Sequence, residues 1–281
     1  MATISSLSNE LILQIFPHCH LTTLIAVRGV CSLWRNLLPF AALNLTRLKL
    51  LEHYLWVIDS PVFLETHPWA VENLRPFDRQ AYLDAILDQH NYIPEEFRLW
   101  ILEWPARAIV GCAWPGLPNT KPPGVADGVV RREGRNRLGC LPPLVHTVKI
   151  KRWETSGPEV NIELPAIMMW DDWHKVWLIL SDEEAVREKV YVLPHSEYNG
   201  DDGFCYFYDS WIEWHESLVR TIEHAADLNA QGLGPLDNVT IDTRGLDDSG
   251  HMPGEDEEEV WSDNEEVWVG RHSTGRIDRT V

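Results

Sequence analysis

Two prolines, Pro17 and Pro39, cut the N-terminal apolar stretch of this chain into pieces too short to stand alone. Between residues 7 and 38 apolar side chains recur at helical spacing. Leu7, Leu11, Ile12, Ile15 and Phe16 form one stripe, Leu24, Ile25 and Val27 a second, and Val30, Trp34, Leu37 and Leu38 a third. Proline lacks a backbone N–H and clashes with the preceding turn, so the first helix ends at Pro17 and the third at Pro39. Ser8 stands where it can cap the first helix, and Thr22 or Thr23 where either can open the second. Three helices this short and this apolar cannot bury all of their apolar surface among themselves. The remainder implies a partner.

The corner between the first two helices reads "FPHCHL", with His18, Cys19 and His20 in a row. Zinc needs four ligands in a tetrahedron, and no second pair stands at usable spacing. The five cysteines are scattered, with no Cys-x-x-Cys pair, so the residues describe a turn and no metal is expected. The whole segment "LSNELILQIFPHCHLTTLIAVRGVCSLWRNLL" resembles an F-box, the adaptor-binding motif of cullin-type ubiquitin ligases. The match runs through Leu7, Glu10, Leu11, Ile15, Phe16, Leu24, Val27, Val30, Cys31, Trp34 and Leu38, and "VCSLW" follows the family's Val-Cys-x-x-Trp pattern. Ser8 replaces a usual proline, and Thr22 or Thr23 a usual acidic residue. The resemblance implies a Skp-type adaptor as partner, and through it a cullin. It also implies adaptor contacts from Leu7, Leu11, Ile15, Phe16, Leu24, Val30 and Trp34.

Residues 43–58 continue as an amphipathic helix with Leu48, Leu51, Leu55 and Ile58 on one face. It suits either a stalk leaving the F-box or a helix packed on the next domain, and residues 1–60 form the F-box-and-stalk unit. Residues 61–228 then read as one α+β domain. One or two helices lie within "SPVFLETHPWAVENLRPFDRQAYLDAIL". In "IPEEFRLWILEWP", Pro94, Glu95 and Glu96 favour a helix start, and Phe97, Ile101 and Trp104 line a face. Residues 111–145 are rich in Gly, Pro and Arg and read as a mobile loop. Strand patterns follow in "HTVKIKRW", "LPAIMMW", "KVWLIL", "KVYVL" and "FCYFY". A final helix opens on a Ser210–Glu213 capping box and carries Trp211, Trp214, Leu218 and Ile222 as a stripe. Helices, then a mainly antiparallel meander, then a capped helix make an α+β architecture.

Residues 75–225 are similar to the SUKH superfamily of α+β binding modules. "IPEEFRLWILEW" matches its early helix, and "VWLILSDEEAVREKVYVL" with "CYFYDSWIEWHESL" its late strands and closing helix. "WPARA" replaces the usual Asn-Gly. The resemblance implies a protein-binding module and brings no catalytic residues. In agreement, no G-x-S-x-G, H-E-x-x-H, G-x-G-x-x-G or phosphate-loop motif occurs. The pairs Asp171–Asp172 and Asp201–Asp202 lie in turn-like stretches, and no enzyme activity or cofactor is expected.

A net charge of −19 repels phosphate backbones, so nucleic acid is not an expected partner. No secretory pattern and no apolar run of about 18 residues is present, so the expectation is a soluble protein of the cytoplasm or nucleus without membrane contact. Residues 229–281 read as a disordered acidic tail. Fourteen acidic against four basic residues lie within 225–281, and "EEVW" occurs twice. Of fourteen tryptophans, Trp69, Trp100, Trp104 and Trp114 fall in one stretch and suit either a core or a recognition surface. On the second reading Trp100, Trp104 and Trp114 anchor a target protein, with Arg131, Arg132, Arg135 and Arg137 of the loop favouring acidic targets. The expected function is a substrate receptor joining a Skp-type adaptor to a target. The alternative is a ligase-independent scaffold whose helical N-terminus packs on its own chain.

Overall fold

The structure is a computed structural model that describes residues 7–111, 113–119, 134–152, 160–171, 174–194, 206–230 and 266–269. Its architecture is α+β. Among the described residues seven helices precede a seven-stranded, mainly antiparallel sheet, and an eighth follows its sixth strand.

The prolines act where the sequence places them. α1 (Asn9–Ile15) ends in a 3-10 turn, Phe16–His18, and α3 (Ser32–Leu37) in another, Leu38–Phe40, each with its proline near the start. There the missing N–H is harmless. "FPHCHL" is a corner closed by the Cys19 N–H donating to the Phe16 carbonyl at 3.0 Å. Ser8 occupies the N-cap position of α1, yet its hydroxyl makes no capping bond. Neither threonine opens α2 (Leu21–Val30). The Leu21 N–H instead donates to the Glu103 carboxylate at 2.7 Å, across a separation of 82 residues.

α4 (Leu45–Val57) is capped by Asn44, which accepts the Arg47 N–H at 3.1 Å. Its buried residues are Leu50, Leu51, His53 and Val57, so of the predicted stripe Leu51 is buried while Leu48, Leu55 and Ile58 are half-buried. The helix lies against α2, against α7 (Glu95–Glu103) and against α8 (Trp211–Ala230), so it is a central strut and not a projecting stalk. α5 (Pro61–Asn73) and α6 (Arg79–Leu87) open on Ser60 and Asp78, whose side chains accept the Phe63 and Ala81 N–H groups.

α7 buries Phe97, Leu99, Trp100 and Ile101, and with them two carboxylates, Glu96 and Glu103. Arg47 grips Glu103 through two nitrogens at 2.7–3.2 Å, and Lys49 reaches Glu96 at 2.7 Å. At the other end of α7, one Arg79 nitrogen donates to the carbonyls of Ile101, Leu102 and Trp104 at 2.8–3.0 Å. This satisfies acceptors that a helix C-terminus leaves open.

The sheet runs β6–β5–β4–β3–β2–β7. β2 is Val145–Arg152, β3 Val160–Asp171, β4 His174–Ile179, β5 Val190–Pro194, β6 Tyr206–Tyr208 and β7 Glu266–Val269. A two-residue β1, Arg135–Asn136, pairs with the far end of β3 beyond β2. Only the β2–β7 pairing is parallel. The predicted strands all form. One face of the sheet gives Ile167, Met169, Val176, Leu178, Val190 and Val192 to a buried cluster that runs from Ile12 to Ile222. The other face gathers Val148, Ile150, Leu164, Trp177, Ile179 and Leu193 into a second, smaller cluster. The larger cluster crosses position 60 without a break, so α1–α3 share one core with the α+β region.

α8 opens on the predicted Ser210 cap, with Glu213 reaching back one residue past it to Asp209 and not to Ser210. The Ser210 hydroxyl accepts the Glu213 N–H at 3.2 Å, and the Glu213 carboxylate accepts the Asp209 N–H at 2.7 Å. Trp211, Trp214 and Ile222 are buried from its stripe, joined by His215. One expectation needs correction. The Gly/Pro/Arg-rich stretch is structured at both ends: Asn136 donates to the Trp114 carbonyl at 2.8 Å, and Arg75 N–H to the Gly116 carbonyl at 2.8 Å. Of the stretch read as an acidic tail, Glu266–Val269 form β7, and residues 231–265 and 270–281 lie outside the described residues.

His53 on α4 meets His215 on α8 at 2.8 Å in a buried position walled by Trp56, Trp104 and Trp211. Glu216 stands 3.6 Å from the other His53 nitrogen. Burial, then the neighbouring His53, push the His215 proton affinity well below the ordinary 6.5, against a backbone hydrogen bond at Val110. The unfolded chain therefore binds a proton that the folded chain refuses. His215 contributes stability above about pH 6.5 that is lost as pH falls, at up to about 1.4 kcal/mol per pH unit. Urea midpoints measured from pH 7 to 5 should fall in the unaltered chain and fall less steeply in His215→Gln. For Glu103, burial raises the carboxyl pKa, but Arg47, the Leu21 N–H and His20 outweigh it and hold it below the ordinary 4.5. Its contribution is present above that value and lost in more acid solution. Glu103→Ala leaves Arg47 without its partner and α2 without its cap, and should lower unfolding free energy by about 3 kcal/mol in urea titrations at pH 7.

Candidate docking surface

Large apolar side chains left open to solvent are concentrated at the N-terminus. Six of the eleven such residues among those described lie between positions 11 and 45: Leu11, Ile15, Val30, Leu33, Phe40 and Leu45. Scattered exposed leucines are ordinary, but a contiguous apolar face marks an interaction surface. The local structure brings several of these residues together. Leu11 and Ile15 are four apart on α1 and share a face. α1 meets α3 through the Phe16 and Trp34 rings, 6.0 Å between centroids and edge to face. Ile15 and Leu33, the chain neighbours of those two rings, are 45% and 48% exposed; Leu11 is 48% exposed and Val30 58%.

α3 is the most unusual element. Its six residues read "SLWRNL", and none of them is fully buried. The helix is held by the Phe16–Trp34 contact and by Arg35 Nε donating to the Arg28 carbonyl near the end of α2 at 3.0 Å. A short helix has little stability of its own, so this one is ordered by packing and still leaves Leu33 uncovered.

The residues expected to touch an adaptor thus divide. Leu11, Ile15 and Val30 are exposed, and Leu7 and Trp34 are half-buried. Phe16 and Leu24 are buried in the main core and offer no surface; they hold α1 and α2 onto the remaining helices. Leu33 was missed by sequence: it shares one roughly 100° arc of α3 with Trp34 and Leu37, and packing alone leaves it 48% exposed while the other two are half-buried.

The expected target site fares differently. Trp100, Trp104 and Trp114 are core residues: Trp100 lies 4.6 Å from Trp114 and 4.2 Å from Trp211, and the Trp104 indole N–H donates to the Ala108 carbonyl at 2.8 Å. They supply no recognition surface. Trp69 is half-buried against the same core. Arg137 is bound to Asp171 of β3, which gives that aspartate a structural partner, while Arg135 on β1 is exposed. Arg131 and Arg132 lie outside the described residues. Among the described residues, the three tryptophans and Arg135 and Arg137 therefore do not form one surface.

His20 of the corner stands 3.1 Å from Glu103, and among the described residues no group of three or more His, Cys, Asp and Glu is placed to hold a metal. No helix there is long and apolar enough to cross a membrane. No protein-family model matches this chain, and no curated protein or solved structure matches it, so the F-box and SUKH resemblances rest on the residues quoted above.

Proposed function

We propose that this chain is a substrate receptor of a cullin-type ubiquitin ligase, with the N-terminal helices docking a Skp-type adaptor and the α+β region holding a target protein. The observation that carries the reading is the exposure of Leu11, Ile15, Val30 and Leu33 on three short helices whose Ile12, Phe16, Leu24 and Val27 are buried behind them. Its role is geometric: it raises the concentration of a target near the ubiquitin-carrying enzyme and does no covalent chemistry itself. On this reading it works in the cytoplasm or nucleus. Residues 1–60 contribute the docking unit and 61–228 the recognition unit.

A second reading has its own support. Phe16, Leu21, Leu24 and Val27 are buried within the chain, and Glu103 binds the start of α2, which suits a scaffold whose N-terminus is satisfied internally. The two readings part over the outer face. Covering a half-exposed leucine contributes about 1 kcal/mol, half of the roughly 1.5–3 kcal/mol for full burial. Titration calorimetry with a purified Skp-type adaptor should show binding by the full chain. Leu11→Ala combined with Leu33→Ala should weaken it by about thirtyfold, the equivalent of about 2 kcal/mol, with the melting temperature little changed. Absence of binding by the unaltered chain favours the scaffold.

A further inference from the structure

The last strand of the sheet comes from the far end of the chain. β7 lies parallel to β2, with Glu266 beside Lys149, Val267 beside Ile150, Trp268 beside Lys151 and Val269 beside Arg152. β2 itself is firmly placed: it pairs with β3 along all eight of its residues, and Val148 and Ile150 are buried in the smaller core. β7 is only four residues long and joins the body through residues 231–265. So short a strand makes few ladder bonds, and a tether of that length adds little to hold it.

The chemistry of the edge selects what fills it. Without β7, residues 149–152 present unpaired backbone donors and acceptors, and no proline or bulge interrupts them. Lys149, Lys151 and Arg152 disfavour a second copy of β2 there, since like charges on adjacent strands repel. They favour an acidic strand. Lys149 Nζ already lies 3.7 Å from Glu163 on the β3 side, and the register places Glu266 on the other, so one lysine is flanked by two acidic residues. The sequence supplies this ligand twice. "EEVW" at 258–261 repeats at 265–268, offering the same acidic, aliphatic and aromatic order to the same edge.

We propose that the outer edge of β2 is a strand-addition site for extended peptides in which acidic residues precede an aliphatic–aromatic pair, and that residues 266–269 fill it in cis until such a peptide displaces them. Main-chain hydrogen bonds supply affinity, and the positions beside Lys149, Ile150 and Lys151 supply sequence preference. The site lies on the sheet and does not depend on adaptor binding by α1 and α3. A tethered strand at about millimolar effective concentration weakens a competitor of about 100 μM affinity by about tenfold.

The test uses the full chain, no adaptor, and a fluorescein-labelled peptide of residues 262–270 read by anisotropy. Val260→Pro with Val267→Pro puts a proline in each copy of the repeat, which disfavours either copy as an added strand and opens the edge. This variant should bind the peptide about tenfold more tightly than the unaltered chain, and adding Lys149→Glu should reverse the gain. A peptide with Glu265→Lys and Glu266→Lys should not bind. Equal affinity in the opened and unaltered chains, or none in either, overturns the proposal. A second measurement needs no variant. Saturating unlabelled peptide should speed hydrogen exchange at residues 266–269 of the unaltered chain while 149–152 stay protected. Unchanged exchange at 266–269 makes β7 a fixed part of the sheet and overturns the proposal as well.

Discussion

α7 carries two buried carboxylates seven residues apart, and much of the molecule is arranged around them. A buried charge is costly unless it is paired and hydrogen-bonded, and α4 answers both, Arg47 to Glu103 and Lys49 to Glu96. Each carboxylate also faces the start of a further helix. Glu103 accepts the first N–H of α2 at 2.7 Å, and Glu96 lies 3.5 Å from the Ile212 N–H in the first turn of α8. Helix N-termini carry partial positive charge, so the same two anions that bind α4 also fix the ends of α2 and α8. Four helices distant in sequence are thereby held in one register. Arg79, spread over three carbonyls at the far end of α7 and 5.2 Å from the Trp114 ring, continues the arrangement toward the loop after it.

This seam explains which apolar residues are left outside. With α2 held at Leu21, Leu24 and Val27 turn into the core, and Phe16 follows from the adjoining turn. α1 and α3 then lie over that layer with Leu11, Ile15 and Leu33 on the side away from it. The exposed face is therefore the back of a packed layer, not the edge of a loose one. For a receptor such a mounting matters, because a partner on α1 and α3 inherits a defined orientation toward the sheet. A tether would supply proximity without orientation.

What could be read in sequence was local. Proline positions ended α1 and α3, alternation and apolar runs found the strands of the meander, and Ser210 with Glu213 found the start of α8. Each of those signals lies within a few residues of its effect. The cap of α2 lies 82 residues from the helix it serves, and His53 and His215 are 162 apart, so nothing near either position announces the contact. Trp100, Trp104 and Trp114 misled for a different reason. Tryptophan beside glycine and proline suits a core as well as an interface, and the choice is made by Asn136 and Arg75, which tie the following loop down and close the aromatic cluster. For the docking face, the helical stripes named which residues were apolar. They could not say which side of each helix the rest of the chain would claim, so Phe16 and Leu24 were grouped with Leu11.

Charge accounts for the one parallel pairing in the sheet. Residues 1–224 hold 29 acidic and 20 basic side chains, so an acidic tail is repelled by most of the body it is joined to. Screening confines that repulsion to about 8 Å at physiological salt, and neighbouring strands are about 4.8 Å apart. The tail can settle only where the nearest few residues are basic. β2 ends in "KIKR", and it is one of the two edge strands of the antiparallel meander, β6 being the other. An antiparallel partner could be reached by a short hairpin, whereas a segment arriving through residues 231–265 is free of that restriction and can take either direction. The parallel register sets Glu266 opposite Lys149 and Val267 opposite Ile150, a residue buried in the smaller core, so an acidic position faces a basic one and an apolar position an apolar one along one four-residue strand.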